Sequence, residues 1–211
     1  MIELAVFLGN PGREYSLNRH NAGRLLALKL PFHGNLLWRK KFKGLYADIE
    51  GRRLAGAAGE ELPPKFHFLM PETYMNLSGD SVEAAASFFK IPPERILAVH
   101  DELELPLGSL SLKFSGGLGG HNGLRSIKAR LDTGDFWRLR IGIGRPDSRL
   151  PGQGGPPGSG RGVFEWVLSD FSAAEKPVLE QVLEAAASLF LQALASGPET
   201  LLPEWKKKQI L

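Results

Sequence analysis

Ile2-Glu3-Leu4-Ala5-Val6-Phe7-Leu8-Gly9-Asn10-Pro11-Gly12 decides the fold. Residues 2–8 are apolar at both alternating sets of positions apart from Glu3, which reads as a buried strand. Gly9-Asn10-Pro11-Gly12 then ends it with turn chemistry. A strand apolar on both sides needs helices on both faces of its sheet.

The remaining segments alternate in the same way. Residues 22–30 are rich in Leu and Ala and read as a helix. Short strands are expected at 44–50 and 52–58 around Gly51, and another from Lys65 to Met70. Ser78 is placed as an N-cap, and Val82, Ala85, Ala86 and Phe89 form one helix face ended by Pro92-Pro93. Arg95 to His100 is a further buried strand. Residues 109–114 alternate as a half-exposed one, and Leu124, Ile127 and Leu131 make a helical stripe. Trp137 to Ile143 alternates again, with Arg138 and Arg140 on the polar side. A last long helix starts after Ser172, whose spacing to Glu175 fits a capping box, although Pro177 argues for a later start. The expected fold is a single three-layer α/β/α domain over 1–211 with a central mixed, mostly parallel sheet. A flexible Gly/Pro-rich loop is expected at 147–162 and a basic tail at 203–211.

Bulk properties narrow the function classes. The 211 residues contain no cysteine, which excludes disulfides and Cys-based zinc sites. Neither a secretory signal nor an apolar run approaching the ~18 residues of a membrane span is evident, so a cytoplasmic protein without membrane contact is expected. The formal charge of +3 permits a polyanionic partner without demanding one. Lysine and arginine concentrate at 39–43, at 125–130 and at 206–208, and taken singly each cluster reads first as a solvated face or tail.

Polar residues suited to chemistry gather just after predicted strands, where ligands bind in open α/β sheets. His20 is suited to proton transfer near neutral pH. Asn76 offers a donor and an acceptor to a peptide group. His100-Asp101-Glu102 could ligate a metal, but the spacing fits no closed site and HExxH is absent. Asp101 could instead orient a histidine that activates water. The glycine loop 116–123 lacks both the dinucleotide fingerprint and the Gly-Lys-Ser/Thr of a nucleotide loop, so no cofactor is expected. Composition and spacing stop at an α/β enzyme with a His/Asp/Asn site.

Together the segments resemble the bacterial-type peptidyl-tRNA hydrolases. The resemblance rests on 9–15 with Arg19-His20-Asn21-Ala22-Gly23, on Pro71 to Gly79, on His100 to Pro106, on Gly116 to Leu124, on Arg138 to Pro146 and on Val167 to Phe171. It implies hydrolysis of the ester joining a peptide to the tRNA 3′ end, recycling the tRNA, without a metal. His20 would be the general base and Asp101 its orienting acid. Asn10, Asn76 and Asn122 would hold the peptide and the water or oxyanion, and Tyr15, Asn21 and Met75 would line the cleft. Lys113 and Arg140 would contact tRNA phosphate. A monomer is implied. Asn18 where the family often has Thr, Ser169 where Gly is frequent, and the long 147–162 loop are departures that leave these residues untouched. Rival readings are a non-catalytic RNA-binding relative on the same fold, like plant organelle splicing cofactors, and an unrelated small-ester hydrolase, against which no Gly-x-Ser-x-Gly is visible.

Overall fold

A computed structural model describes residues 1–54, 62–146 and 161–211. Eight strands form one sheet: β1 (Leu4–Phe7), β2 (Arg39–Lys41), β3 (Gly44–Glu50), β4 (Lys65–Pro71), β5 (Ile96–Glu102), β6 (Ser109–Phe114), β7 (Trp137–Gly142) and β8 (Lys208–Gln209). Their order is β2-β3-β4-β1-β5-β7-β6-β8. The helices are α1 (Ala22–Lys29), α2 (Gly51–Leu54), α3 (Ser78–Phe89), α4 (Asn122–Leu131), α5 (Arg161–Val167), α6 (Lys176–Ser196) and α7 (Pro198–Trp205).

The opening stretch sits at the centre and is covered on both sides, as its composition requires. Leu4, Val6 and Leu8 pack with Val82, Ala85, Leu124 and Ile127 of α3 and α4. Ala5 and Phe7 face the opposite way, into the core shared with Leu26 of α1 and Phe190 of α6. Three layers result. The sheet is mixed, but "mostly parallel" holds only at its centre: β4–β1, β1–β5 and β5–β7 are parallel. The wings β2–β3, β3–β4, β7–β6 and β6–β8 are antiparallel. A tight hairpin joins β2 to β3, whereas β6 reaches β7 through α4 and β8 returns to β6 from the far end of the chain.

Several local expectations change. Residues 51–54 form a helical turn rather than the start of a strand, and the rest of the expected 52–58 strand lies outside the described residues. The 147–162 loop falls outside them up to residue 160, and α5 begins at Arg161. Ser78 is the first residue of α3 rather than its cap, and its hydroxyl donates to the Met75 carbonyl. The 203–211 segment is not a free tail: α7 runs through Trp205, and Lys208 and Gln209 pair with β6. That cover is why Ser109 and Ser111 are buried instead of half-exposed; Ser111 Oγ donates to the Lys206 carbonyl at 2.6 Å. The capping box at Ser172 and Glu175 is present, and α6 starts at Lys176 with Pro177 in its first turn, where proline is tolerated. By length and composition α6 could cross a membrane, and 50% of its 18-residue apolar window is buried inside the protein, as in a core helix.

Two close contacts hold the start of α1 in place. A Cβ on Gly23 would lie 2.4 Å from the Val99 carbonyl oxygen and 2.7 Å from that of Leu8. Both obstacles are backbone and cannot swing aside. Gly23→Ala is expected to cost about 1–3 kcal/mol of unfolding free energy, measured by urea denaturation. The second contact is a clamp on Arg19, which is almost fully buried. Its guanidinium pairs with both Glu175 oxygens, donates to Ser169, and lies 3.8 Å over the Trp166 ring. Asn18 Nδ2 donates to the Leu168 carbonyl beside it.

Candidate active site

The parallel strands β1, β4 and β5 deliver their carboxyl ends to one cleft of about 1010 Å³. The 3-10 turn Arg19–Asn21 places His20 there, and β5, ending two residues later than expected, places Asp101 opposite it. His20 Nδ1 lies 2.9 Å from Oδ1 and 3.0 Å from Oδ2 of Asp101. An ionised carboxylate only accepts, so Nδ1 carries the proton and Nε2 is left for the cleft. Burial of the His20 ring works against charging it, yet the charge and hydrogen bond of Asp101 outweigh that and hold its pKa above the ordinary histidine value. Asp101 is buried too. That alone would raise its pKa, but its two histidine partners hold it far below the carboxylate range.

The second partner is His121, which sequence reasoning did not single out. Its Nε2 is 3.0 Å from the same Asp101 Oδ1. Its Nδ1 accepts from the backbone N–H of Gly123 at 3.1 Å and of Leu124 at 3.3 Å, capping α4. The signal was its position just ahead of a predicted helix, a capping site unusual for histidine.

The asparagines are placed differently from one another. Asn10 is buried, and its Oδ1 accepts from the Met75 N–H at 2.8 Å. Asn21 sits behind Asn10 instead of on the cleft wall. Its amide takes both backbone groups of Asn10, Oδ1 from the N–H at 2.8 Å and Nδ2 to the carbonyl at 3.0 Å. Asn10 Nδ2 takes no protein partner among the described residues, and Asn10 lines the cleft with exposed Asn76 and Asn122. Tyr15 and Met75 line it as well. Val163, Phe164 and Val167 of α5, with Leu168 just past its end, add an apolar wall that the sequence reading did not contain.

The basic candidates lie outside this cleft. Arg140 is committed to Glu102 at 2.9 Å and to Ser111, and Lys113 is half-buried beside Arg138 and Arg140, which with burial lower its pKa. Arg138, expected on the polar side, is fully buried and donates to the carbonyls of Gly116 and Gly117 at 2.9 and 2.7 Å. It thereby braces the glycine loop whose Gly119 and Gly120 border the cleft.

Among the described residues, His20, Asp101 and His121 are the group whose donor atoms lie close enough for a metal, within 4.8 Å. Those atoms are spent on one another: both ring nitrogens face the carboxylate, and the far nitrogen of His121 is held by the helix backbone. The donor set fits a hydrogen-bonded chain better than a coordination sphere.

A buried histidine–carboxylate pair beside amide donors, at the strand ends of an α/β sheet, is the build of a hydrolase. Comparison over the whole chain narrows the class. A family model described as Peptidyl-tRNA hydrolase matches residues 4–210. A peptidyl-tRNA hydrolase of Treponema pallidum (strain Nichols) is 46% identical, covering 100% of this chain and 97% of its own. The solved peptidyl-tRNA hydrolase of Acinetobacter baumannii aligns with a TM-score of 0.76 at 34% identity, over 97% of this chain and 94% of that one. Another, in complex with N-propanol, aligns with a TM-score of 0.78 at 34% identity, over the same shares. The chain belongs to the peptidyl-tRNA hydrolase family.

Proposed function

We propose that the chain hydrolyses the ester between an N-acyl-aminoacyl group and the 3′ end of tRNA, with water activated by His20. The observation that carries this mechanism is the double contact of His20 Nδ1 with the Asp101 carboxylate at the floor of a cleft walled by Asn10, Asn76 and Asn122.

His20 Nε2 takes a proton from a water molecule, and the hydroxide oxygen bonds to the ester carbonyl carbon. The carbonyl oxygen becomes an oxyanion, for which the Nδ2 groups of the asparagines are the available donors. Collapse breaks the bond to the tRNA 3′ oxygen, which takes the proton back from the His20 imidazolium. The products are a tRNA with a free 3′ hydroxyl and a peptide carboxylic acid, which gives the remaining water proton to solvent and leaves as the carboxylate. An amide next to the ester offers an N–H and a carbonyl for Asn10, Asn76 and Asn122 to recognise, which favours N-acylated over free aminoacyl esters. Tyr15, Met75 and the α5 wall supply apolar contact, and Asn21 acts through Asn10.

Lys113 and Arg140 are proposed phosphate contacts, Lys113 the stronger because Arg140 is neutralised by Glu102. A monomer in the cytoplasm completes the reading. A cleft assembled from one chain supports the first, and a substrate made by translation the second.

The test is release of N-acyl-aminoacyl groups from tRNA, compared with free aminoacyl-tRNA and a simple N-acyl ester. Equal turnover of all three would favour the small-ester reading. Turnover is expected to be unchanged in EDTA, because the site's donor atoms are already paired with one another. Loss on chelation with recovery on adding a divalent ion would overturn the metal-free mechanism.

A further inference from the structure

We propose that His121 is a positioning residue for this reaction: its Nε2–H shares Asp101 Oδ1 with His20, fixing the carboxylate and limiting how much of its charge His20 receives. The inference rests on the hydrolytic reading above, but its main readout does not.

The proton location follows from the helix. Nδ1 of His121 accepts two backbone N–H groups at the start of α4, so it cannot carry a proton, and Nε2 must. Nε2 then has one acceptor in range, Asp101 Oδ1 at 3.0 Å. Asp101 Oδ1 accordingly receives two imidazole N–H groups, from His20 at 2.9 Å and from His121 at 3.0 Å. The ring has little freedom to leave this geometry. It is packed 4.9 Å from the His20 ring on one side and 4.9 Å from His100 on another. His100 is fully buried, with its Nδ1 directed to the Asp101 carbonyl at 2.7 Å.

The groups facing His20 are therefore few. Asp101 comes from β5 and His121 from the turn before α4. The neighbouring Arg19 points away, into Glu175, and Glu102 is taken by Arg140. A carboxylate that accepts a second N–H spreads its charge over both donors, so it pulls less on the His20 proton. His121 thus keeps the base from being held too firmly in its protonated form, and ties its orientation to the helix that begins with Asn122.

Two substitutions separate this role from helix capping. Asn places an amide oxygen near the position of Nδ1 and keeps the cap, whereas Gln places an amide N–H near the position of Nε2 and keeps the contact with Asp101. The experiment follows the His20 imidazole by NMR through a pH titration of the whole chain. In His121→Asn the thermal midpoint should stay near wild type while the His20 pKa rises by about one unit. In His121→Gln it should stay near the wild-type value. In the release assay His121→Asn should lose about tenfold in kcat with KM unchanged. Its acid limb of kcat/KM should move to higher pH. His121→Gln should recover most of the loss. An unshifted His20 in His121→Asn, or an equal shift in both variants, overturns the assignment. A wild-type chain that releases nothing from N-acyl-aminoacyl-tRNA would overturn the proposed function instead, while the titration still decides the role of His121.

Discussion

His20→Ala should lower kcat for N-acyl-aminoacyl-tRNA by about a thousandfold, leaving binding of the tRNA nearly unchanged. General-base catalysis contributes roughly 10²- to 10⁴-fold where the base is well placed, and among the described residues lining the cleft no second histidine is free to replace it. His121 is the nearest candidate, but its Nδ1 belongs to the α4 backbone and its Nε2 to Asp101. The cleft retains its amide donors, so residual turnover above the rate in water is expected. Single-turnover release and a filter-binding isotherm on the same protein separate the two effects. A variant turning over within tenfold of wild type would remove His20 from the mechanism.

Asp101→Asn should be at least as damaging, for a different reason. The substitution keeps shape while removing charge, and with it both influences that hold the His20 pKa up; the opposing burial remains. The base must be unprotonated to act, so activity in the wild type falls as pH drops through a value above the ordinary histidine 6.5. In the variant this limb moves to lower pH. The plateau still falls, by about 10³- to 10⁴-fold, because an asparagine amide can offer its N–H to Nδ1 and so favour the tautomer with its proton on Nε2, where no base remains. A pH profile of kcat/KM distinguishes this from simple loss of fold. A limb moving upward, or a plateau within tenfold of wild type, would contradict the orienting role.

Much of the architecture was legible because it is local. Residues 2–8 announce a doubly covered strand, and Val82, Ala85 and Ala86 announce the face of α3 that covers it. The site segments were legible because they follow strand ends, and their order along the chain carries the family resemblance. What escaped depends on distant partners. Arg138 obeys the alternation of its strand, but the carbonyls of Gly116 and Gly117 draw it into the interior. Ser109 and Ser111 look half-exposed until the C-terminal segment, about a hundred residues on, covers them. α5 and the turn after it carry the paired apolar positions Val163, Phe164, Val167 and Leu168, a pattern too short to outweigh the glycines and prolines before it. His121 hid inside a glycine loop read for phosphate rather than for the helix that follows.

The Arg19 clamp has a consequence for the order in which the molecule is made. His20 is the next residue along the chain, and its turn is fastened by contacts to Leu168, Ser169 and Glu175, separated in sequence by 150 to 156 residues. During synthesis the amino-terminal strand and turn emerge first, but the fastening cannot close until the carboxyl-terminal quarter has left the ribosome. His20 gains its fixed position only near the end of the chain's own translation, so a nascent copy truncated before Glu175 would lack the proposed base in its working place.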